Sequence, residues 1–167
     1  MKKLTLVGIA VLGLFLVTGS VFAATTTAPL TISATVSSTA KLTLGVASIA
    51  FPNADPDITP SIAATQNPVS VTANAKTTTN GAVTLTVVTG GDLTDAGTDV
   101  IAIGNVTWTV TGTGFVAGTM NKTAAQSAGG WTGSGSRAGT FSYNLANSWS
   151  YPTGSYTATA TYTLSCP

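Results

Sequence analysis

Hydrophobic and polar residues alternate along most of the chain, most regularly near its C-terminal end. From Tyr156 to Leu164 every second residue is Tyr, Ala or Leu, and from Ser155 to Ser165 the intervening residues are Ser or Thr. Because successive side chains of a strand point to opposite faces, this pattern predicts a strand with one apolar and one hydroxyl face. An apolar sheet face must be covered, and a second sheet is a common cover.

The same alternation predicts further strands along the chain. The first is Leu30–Ser37, in which Leu30, Ile32, Ala34 and Val36 share one face. The other predicted strands cover residues 41–51 in two short pieces, 69–75, 82–88, 100–103, 105–111, 115–120 and 139–145. About eight short strands separated by turn residues are typical of an all-β domain, and we expect a two-sheet antiparallel β-sandwich, immunoglobulin-like or jelly-roll.

Three connecting segments carry expectations of their own. Residues 52–68 contain four prolines, which predicts a loop that crosses between sheets. Asn80-Gly81 separates two alternating segments and predicts that they form a β-hairpin. Residues 122–136 are rich in glycine, and there the pattern predicts no strand but at most a turn of helix over residues 123–128.

The N-terminal residues have the composition of a secretory signal peptide. Lys2 and Lys3 precede the apolar segment Leu4–Val17, and Val21-Phe22-Ala23 offers small enough residues at the usual cleavage positions. The alternative is an uncleaved membrane anchor, but the apolar segment is shorter than the ~20 residues that a span requires. We expect cleavage after Ala23, no membrane span thereafter, and a single domain over residues 24–167 that is secreted to the cell exterior, cell surface or periplasm.

Composition excludes several classes of function. The chain has six Lys or Arg, two of them in the predicted signal peptide, and five acidic residues, all Asp. This balance gives no basic patch for nucleic acid. There is no His and no Glu, the side chains on which most general acid–base catalysis depends. We therefore expect no enzymatic activity.

One loop has a spacing of carboxylates that suggests calcium. Asp92, Asp95 and Asp99 lie within eight residues, together with Gly97. Calcium is bound by six to eight oxygen ligands, often from flexible loops, although this spacing does not match the EF-hand. The alternative is a solvated turn between strands. No other cofactor is expected.

Three aromatic residues are candidates for binding glycans. Trp131, Trp149 and Tyr151 lie in glycine-rich or loop segments, and exposed aromatic rings can stack on sugar rings. The alternative is that they cover the ends of the sandwich, each with one polar tip in solvent. Trp108 differs, because it alternates with Val106 and Val110, and we expect it in the core.

The C-terminal run Gly154–Pro167 resembles the end of WxL cell-surface domains, which finish with a strand that carries Trp-x-Leu. This chain has Tyr162-Thr163-Leu164 there, so tyrosine stands where the family has tryptophan. Trp108-Thr109-Val110 is similar to the upstream motif of that family. The resemblance implies association with peptidoglycan. The same run is similar to spore-coat-U-like and fimbrial β-sandwich subunits, which implies a structural subunit.

These observations favour a non-enzymatic, secreted structural or adhesive surface protein, pilin-like or coat-like. The predicted strand Leu30–Val36 either pairs within its own domain or adds to the sheet of a neighbouring copy, which would give a homo-oligomer or filament. Two alternatives remain: a module that binds cell-wall or other glycans, and a calcium-stabilised adhesin domain.

Overall fold

The structure is a computed structural model that describes residues 24–167, so the predicted signal peptide, residues 1–23, lies outside the described residues. The chain divides into two compact units, Met1–Ala34 and Thr35–Pro167. In the first unit, the described residues 24–34 have no regular secondary structure and their side chains are exposed. Between residues 24 and 167, no helix is long and apolar enough to cross a membrane.

The second unit consists of short strands joined by turns, with a single turn of 3-10 helix at Ile103–Asn105. The strands are β1 Thr39–Leu44, β2 Ser61–Ala63, β3 Val69–Lys76, β4 Ala82–Thr89, β5 Leu93–Thr94, β6 Val100–Ile101, β7 Val106–Thr111, β8 Gly118–Thr119, β9 Gln126–Thr132, β10 Gly135–Ala146 and β11 Ala160–Ser165.

The strands form two antiparallel sheets that pack against each other. The larger sheet has the order β1-β3-β10-β7-β8, with β2 also paired to β10, and the smaller has the order β11-β4-β9. A separate ribbon is formed by β5 and β6. This arrangement confirms the predicted all-β, two-sheet antiparallel sandwich.

The core lies between the two sheets and follows the alternation in the sequence. In β3 and β4 every second side chain is buried, as at Val71 and Leu85. Trp108 is 1 % exposed, which confirms the prediction that it belongs to the core, and its indole N–H donates to the Val116 carbonyl oxygen (2.8 Å). The Phe141 ring packs edge-on against Phe115, with ring centroids 5.4 Å apart.

The prediction of a strand over Leu30–Ser37 is wrong for the chain on its own. No strand is present before Thr39 among the described residues, and the first strand is β1. Alternation defines two faces for a segment, but a strand also requires a partner for its backbone N–H and C=O groups. The segment therefore has the side-chain pattern of a strand without the pairing.

Three further predictions about connections are corrected by the sheet topology. Residues 52–68 do not cross between sheets, because they join β1 to β3 of the same larger sheet and contain β2, which pairs with β10. The segments on either side of Asn80-Gly81 do not form a hairpin, because β3 belongs to the larger sheet and β4 to the smaller one. The turn instead carries the chain from one sheet to the other. Residues 126–132 form β9 and not a turn of helix, since the backbone of this glycine-rich segment pairs with β4.

Candidate functional site

One side of the sandwich is only partly covered. At that side β1 is the edge of the larger sheet and β11 is the edge of the smaller sheet, and the two strands are neighbours. Leu42 and Leu44 in β1, and Tyr162 and Leu164 in β11, point toward the core but remain only half-buried. Their counterparts on the adjacent strands are fully buried. We call this partly covered side, lined by those four residues, the edge groove.

The backbones of both strands point polar groups into the edge groove. The Gly45 N–H donates to the Ser70 carbonyl oxygen (2.8 Å), and the Gly90 N–H donates to the Thr159 carbonyl oxygen (2.9 Å). Hydrogen-bonded pairs alternate along antiparallel strands, so the residues between them direct their N–H and C=O groups away from the partner strand. The residues between the bonded pairs are the inward-facing ones, and their backbone groups therefore point into the groove. They include Leu42 and Leu44 in β1, and Tyr162 and Leu164 in β11.

Tyr162, which lines the edge groove, also contacts the core. Its hydroxyl lies 2.8 Å from that of Tyr143 on the opposite sheet, and its ring centroid lies 5.9 Å from that of Phe141. Burial is the main cause that raises the pKa of both tyrosines above the ordinary value, so both hydroxyls stay protonated at neutral pH. The Tyr162 side chain is consequently held in a defined position between the sheets.

The two ends of the edge groove differ. At the end where β1 begins, the Ser38 hydroxyl donates to the Pro167 carbonyl oxygen (2.6 Å) and so links the two sides. At the Ala160 end, the Thr159 carbonyl oxygen accepts from Gly90, on the β4 side, and not from β1. A hydrogen bond between the two sides is thus present at the end where β1 begins.

The residues before β1 contain an apolar side chain at every second position, the same period as in β11. The side chains of Leu30, Ile32 and Val36 are 84 %, 87 % and 76 % exposed, and Ala34 lies between them in the alternation. Exposed aliphatic side chains at every second position are costly for a soluble chain and are typical of a surface that meets a partner. We call residues 30–36 the leader strip.

The three aspartates of the candidate calcium loop are used in separate local contacts. Asp92 forms an ion pair with Lys122 and accepts the Ile103 N–H (3.0 Å), and the backbone hydrogen bond is the main cause that lowers its pKa. The Asp95 Oδ1 accepts the N–H groups of Gly97 (2.9 Å) and Asp99 (3.1 Å). Among residues 24–167 no group of three or more His, Cys, Asp or Glu side chains is placed to hold a metal. The calcium hypothesis stays a prediction without a formed site.

The three candidate aromatic residues are not brought together. Trp131 is half-buried in β9 beside Gly135, the first residue of β10, and Arg137 lies over its ring, 5.3 Å from the centroid. Trp149 and Tyr151 follow the last residue of β10, a strand of 12 residues that spans roughly 35–40 Å. The proposed set therefore separates into two groups near opposite ends of β10.

Of these aromatic side chains, Trp149 alone has a freely accessible ring. It is 69 % exposed, and its indole N–H donates to the Asp57 carboxylate (3.1 Å). Tyr151 is half-buried, packs against the core and donates its hydroxyl to the Ala146 carbonyl oxygen (3.0 Å). A glycan hypothesis that requires three stacked rings does not fit, whereas one based on Trp149 stays open to test.

Sequence reasoning missed the edge groove. The alternation predicts a strand in residues 41–51 and another near the C-terminus, but it does not indicate that these strands are the edges of their sheets. The signal that could have revealed the groove was the additional alternating apolar segment at the N-terminus, beyond the segments that form the two sheets.

Comparison with protein-family models, curated proteins and solved structures finds no match to this chain.

Proposed function

We propose that this protein is a non-enzymatic, secreted structural subunit of a surface assembly, and that copies join by strand addition. In this proposal the leader strip of one copy lies in the edge groove of the next, beside β11. The single observation that carries the proposal is the coexistence, in one chain, of a groove with unpaired edges and an exposed alternating segment of the same length and period. Strand addition of this kind gains affinity from backbone hydrogen bonds and specificity from alternate side chains.

The chemistry of the two surfaces is complementary. The groove presents half-buried apolar side chains, and the leader strip presents Leu30, Ile32 and Val36 on one face. Burying each such aliphatic side chain contributes about 1.5–3 kcal/mol. On the opposite face the strip has Thr31, Ser33 and Thr35, hydroxyl residues that match the outer face of β11. An inserted strip would thus extend the pattern of the sheet on both faces.

Turn geometry disfavours a hairpin between the leader strip and β1 of the same chain. A two-residue turn at Ser37 and Ser38 would place Val36 opposite Thr39, which faces outward, so the apolar face of the strip would point to solvent. A three-residue turn would restore the correct face, but such loops usually contain a glycine in the left-handed region. Residues 37–39 are Ser-Ser-Thr. A second copy reaches the groove without this constraint.

The composition supports a structural role over a catalytic one. The residues commonly used for acid–base catalysis, His and Glu, do not occur in the sequence. Charged residues make up 7 % of the chain, so long-range repulsion between copies is weak and close packing of many copies costs little electrostatic energy. Secretion through the predicted signal peptide is part of the same proposal.

The test uses point substitutions in the full chain. Ile32→Asp places a charge on the apolar face of the leader strip, and Ser33→Asp places the same charge on the hydroxyl face. We expect the unmodified chain and Ser33→Asp to form oligomers or filaments in sedimentation and electron microscopy, and Ile32→Asp to stay monomeric. Both side chains are exposed in the single chain, so neither substitution should change its stability by more than about 0.5 kcal/mol. A strictly monomeric unmodified chain at high concentration would rule out assembly by strand addition.

A second candidate function is glycan binding through Trp149. The observation in its favour is the exposure of the indole ring at the end of the sandwich. This candidate predicts retention of the chain on cell-wall polysaccharide, and loss of that retention in Trp149→Ala. Binding to polysaccharide that does not respond to this substitution would exclude Trp149 as the site.

A further inference from the structure

The leader strip and the edge groove have matching profiles of side-chain size. Along the apolar face of the strip, Ala34 is the one small residue among Leu30, Ile32 and Val36. Along the inward face of β11, Tyr162 is the largest residue, flanked by Ala160 on one side and Leu164 on the other. Tightly packed layers alternate large and small residues across facing positions.

Tyr162 cannot easily move to accommodate a larger neighbour. Its hydroxyl is bonded to that of Tyr143 at 2.8 Å, and its ring packs against Phe141. A bulky side chain opposite this ring would have to break the bond between the sheets or displace the strand. The position opposite Tyr162 is thus the one at which the groove selects most strongly by size.

The direction of the inserted strip follows from the ends of the groove. Only Ser37 and Ser38 connect Val36 to β1 of the donating copy, so the donating domain must lie beside the groove end that holds Val36. At the end where β1 begins, the Ser38–Pro167 hydrogen bond of the receiving copy links the two sides. Val36 is therefore placed at the opposite end, next to Ala160, and the strip runs antiparallel to β11.

We propose that Ala34 of the inserted strip lies opposite Tyr162, with Val36 opposite Ala160 and Ile32 opposite Leu164. This register rests on the proposed strand addition. It adds that the position opposite Tyr162 is the one at which the groove accepts only a small side chain. Each pair consists of inward-facing residues, as direct opposition in an antiparallel pair requires. The β11 residues of these pairs are also the ones whose backbone groups point into the groove.

The first experiment measures binding of labelled peptides of residues 28–38 to the full chain that carries Ile32→Asp, which keeps its groove but has a defective strip. The peptides are the native sequence, Ala34→Leu, and the matched control Thr35→Leu on the hydroxyl face. We expect Ala34→Leu to bind about tenfold more weakly or worse, as overpacking would require, and Thr35→Leu to bind within about threefold of the native peptide.

The second experiment tests the register by disulfide formation in a Cys166→Ser background. Directly opposed residues that exchange hydrogen bonds in an antiparallel pair have Cα atoms about 5.5 Å apart, a distance that a disulfide spans. A peptide with Val36→Cys should cross-link to a receiving chain with Ala160→Cys, and not to one with Leu164→Cys. The reverse preference would indicate a parallel strip and would overturn the register.

The outcomes separate the two proposals. Binding of the native peptide with equal affinities for Ala34→Leu and Thr35→Leu would overturn the register and leave strand addition standing. No binding of the native peptide, together with an unmodified chain that stays monomeric, would overturn strand addition and the register with it.

Discussion

The hydroxyl groups of Tyr143 and Tyr162 lie 2.8 Å apart and join the two sheets of the sandwich next to its partly covered side. Tyr143 is on β10, in the middle of the larger sheet, and Tyr162 is on β11, at the edge of the smaller one. The bond satisfies two polar groups that burial would otherwise leave without water. It therefore fixes the edge strand that the proposed assembly uses.

Removal of either hydroxyl should destabilise the domain. Tyr143→Phe leaves the Tyr162 hydroxyl buried without its partner, and an unsatisfied buried group costs about 1–3 kcal/mol. The double variant Tyr143→Phe/Tyr162→Phe leaves no orphaned hydroxyl, so its loss should be smaller than the sum of the single losses. Urea unfolding at pH 7 measures these differences. Tyr156→Phe is the matched control, since its hydroxyl donates to Pro152 at an exposed site and its loss should be small.

The same pair predicts a loss of stability at alkaline pH. Burial raises the pKa of Tyr143 and Tyr162 in the folded state, while in the unfolded chain both ionise near pH 10. Above that pH the unfolded state has released protons that the folded state retains, so the free energy of unfolding falls as pH rises. The contribution of the two tyrosines to the free energy of unfolding is fully present below pH 10. Above pH 10, each tyrosine lowers the free energy of unfolding by up to ~1.4 kcal/mol per pH unit. Equal slopes for the native chain and the double Phe variant, in urea unfolding between pH 9 and 11, would contradict this assignment.

Packing around Trp108 depends on a glycine in the neighbouring strand. A Cβ atom at Gly118 would lie 2.6 Å from the Trp108 ring, which is fully buried and cannot move aside. Gly118→Ala should therefore cost about 1–3 kcal/mol of stability, the usual cost of overpacking. Gly104→Ala is the control, because nothing lies within 4 Å of the position that its Cβ would take. A thermal melt of each variant tests the difference, and equal melting temperatures would show that the sheet yields at Gly118.

The sequence predicts the layers of this fold better than its connections. Alternation at residues such as Val71 and Leu85 reports which face a strand buries, because burial acts on each side chain separately. It does not report which strand lies beside which, because pairing depends on segments distant in the chain. For that reason Asn80-Gly81 predicts a hairpin, although the turn joins the two sheets.

The candidate sites show the same limit. Alternation over Leu30–Ser37 predicts a strand, but among the described residues the first strand begins at Thr39, since alternation does not report whether a partner strand exists. Trp131 and Trp149 look equivalent in the sequence, as aromatic residues in polar surroundings. The 12 residues of β10 separate them, and nothing in the sequence near either tryptophan indicates this distance.

Calcium should have little effect on this domain. The Asp92 carboxylate already pairs with Lys122 and the Ile103 N–H, and Asp95 Oδ1 already accepts two N–H groups of its own loop. Since a ligand that binds the native state must stabilise it, thermal melts with excess calcium and with a chelator are a direct measurement. We expect equal melting temperatures. A rise with calcium that is lost in Asp95→Asn would restore the calcium-stabilised adhesin hypothesis.

The two tryptophans of the candidate glycan set should respond differently to the same substitution. Trp131 packs against the core and under Arg137, so Trp131→Ala should cost about 2–4 kcal/mol in urea unfolding. Trp149 is exposed, and Trp149→Ala should change the stability by no more than about 0.5 kcal/mol. The two variants form a matched pair for polysaccharide retention, because Trp149→Ala alone removes an accessible ring without weakening the fold. Retention that fails in Trp149→Ala and persists in folded Trp131→Ala would locate glycan binding at the loop after β10, whereas a large loss of stability in Trp149→Ala would contradict its exposed position.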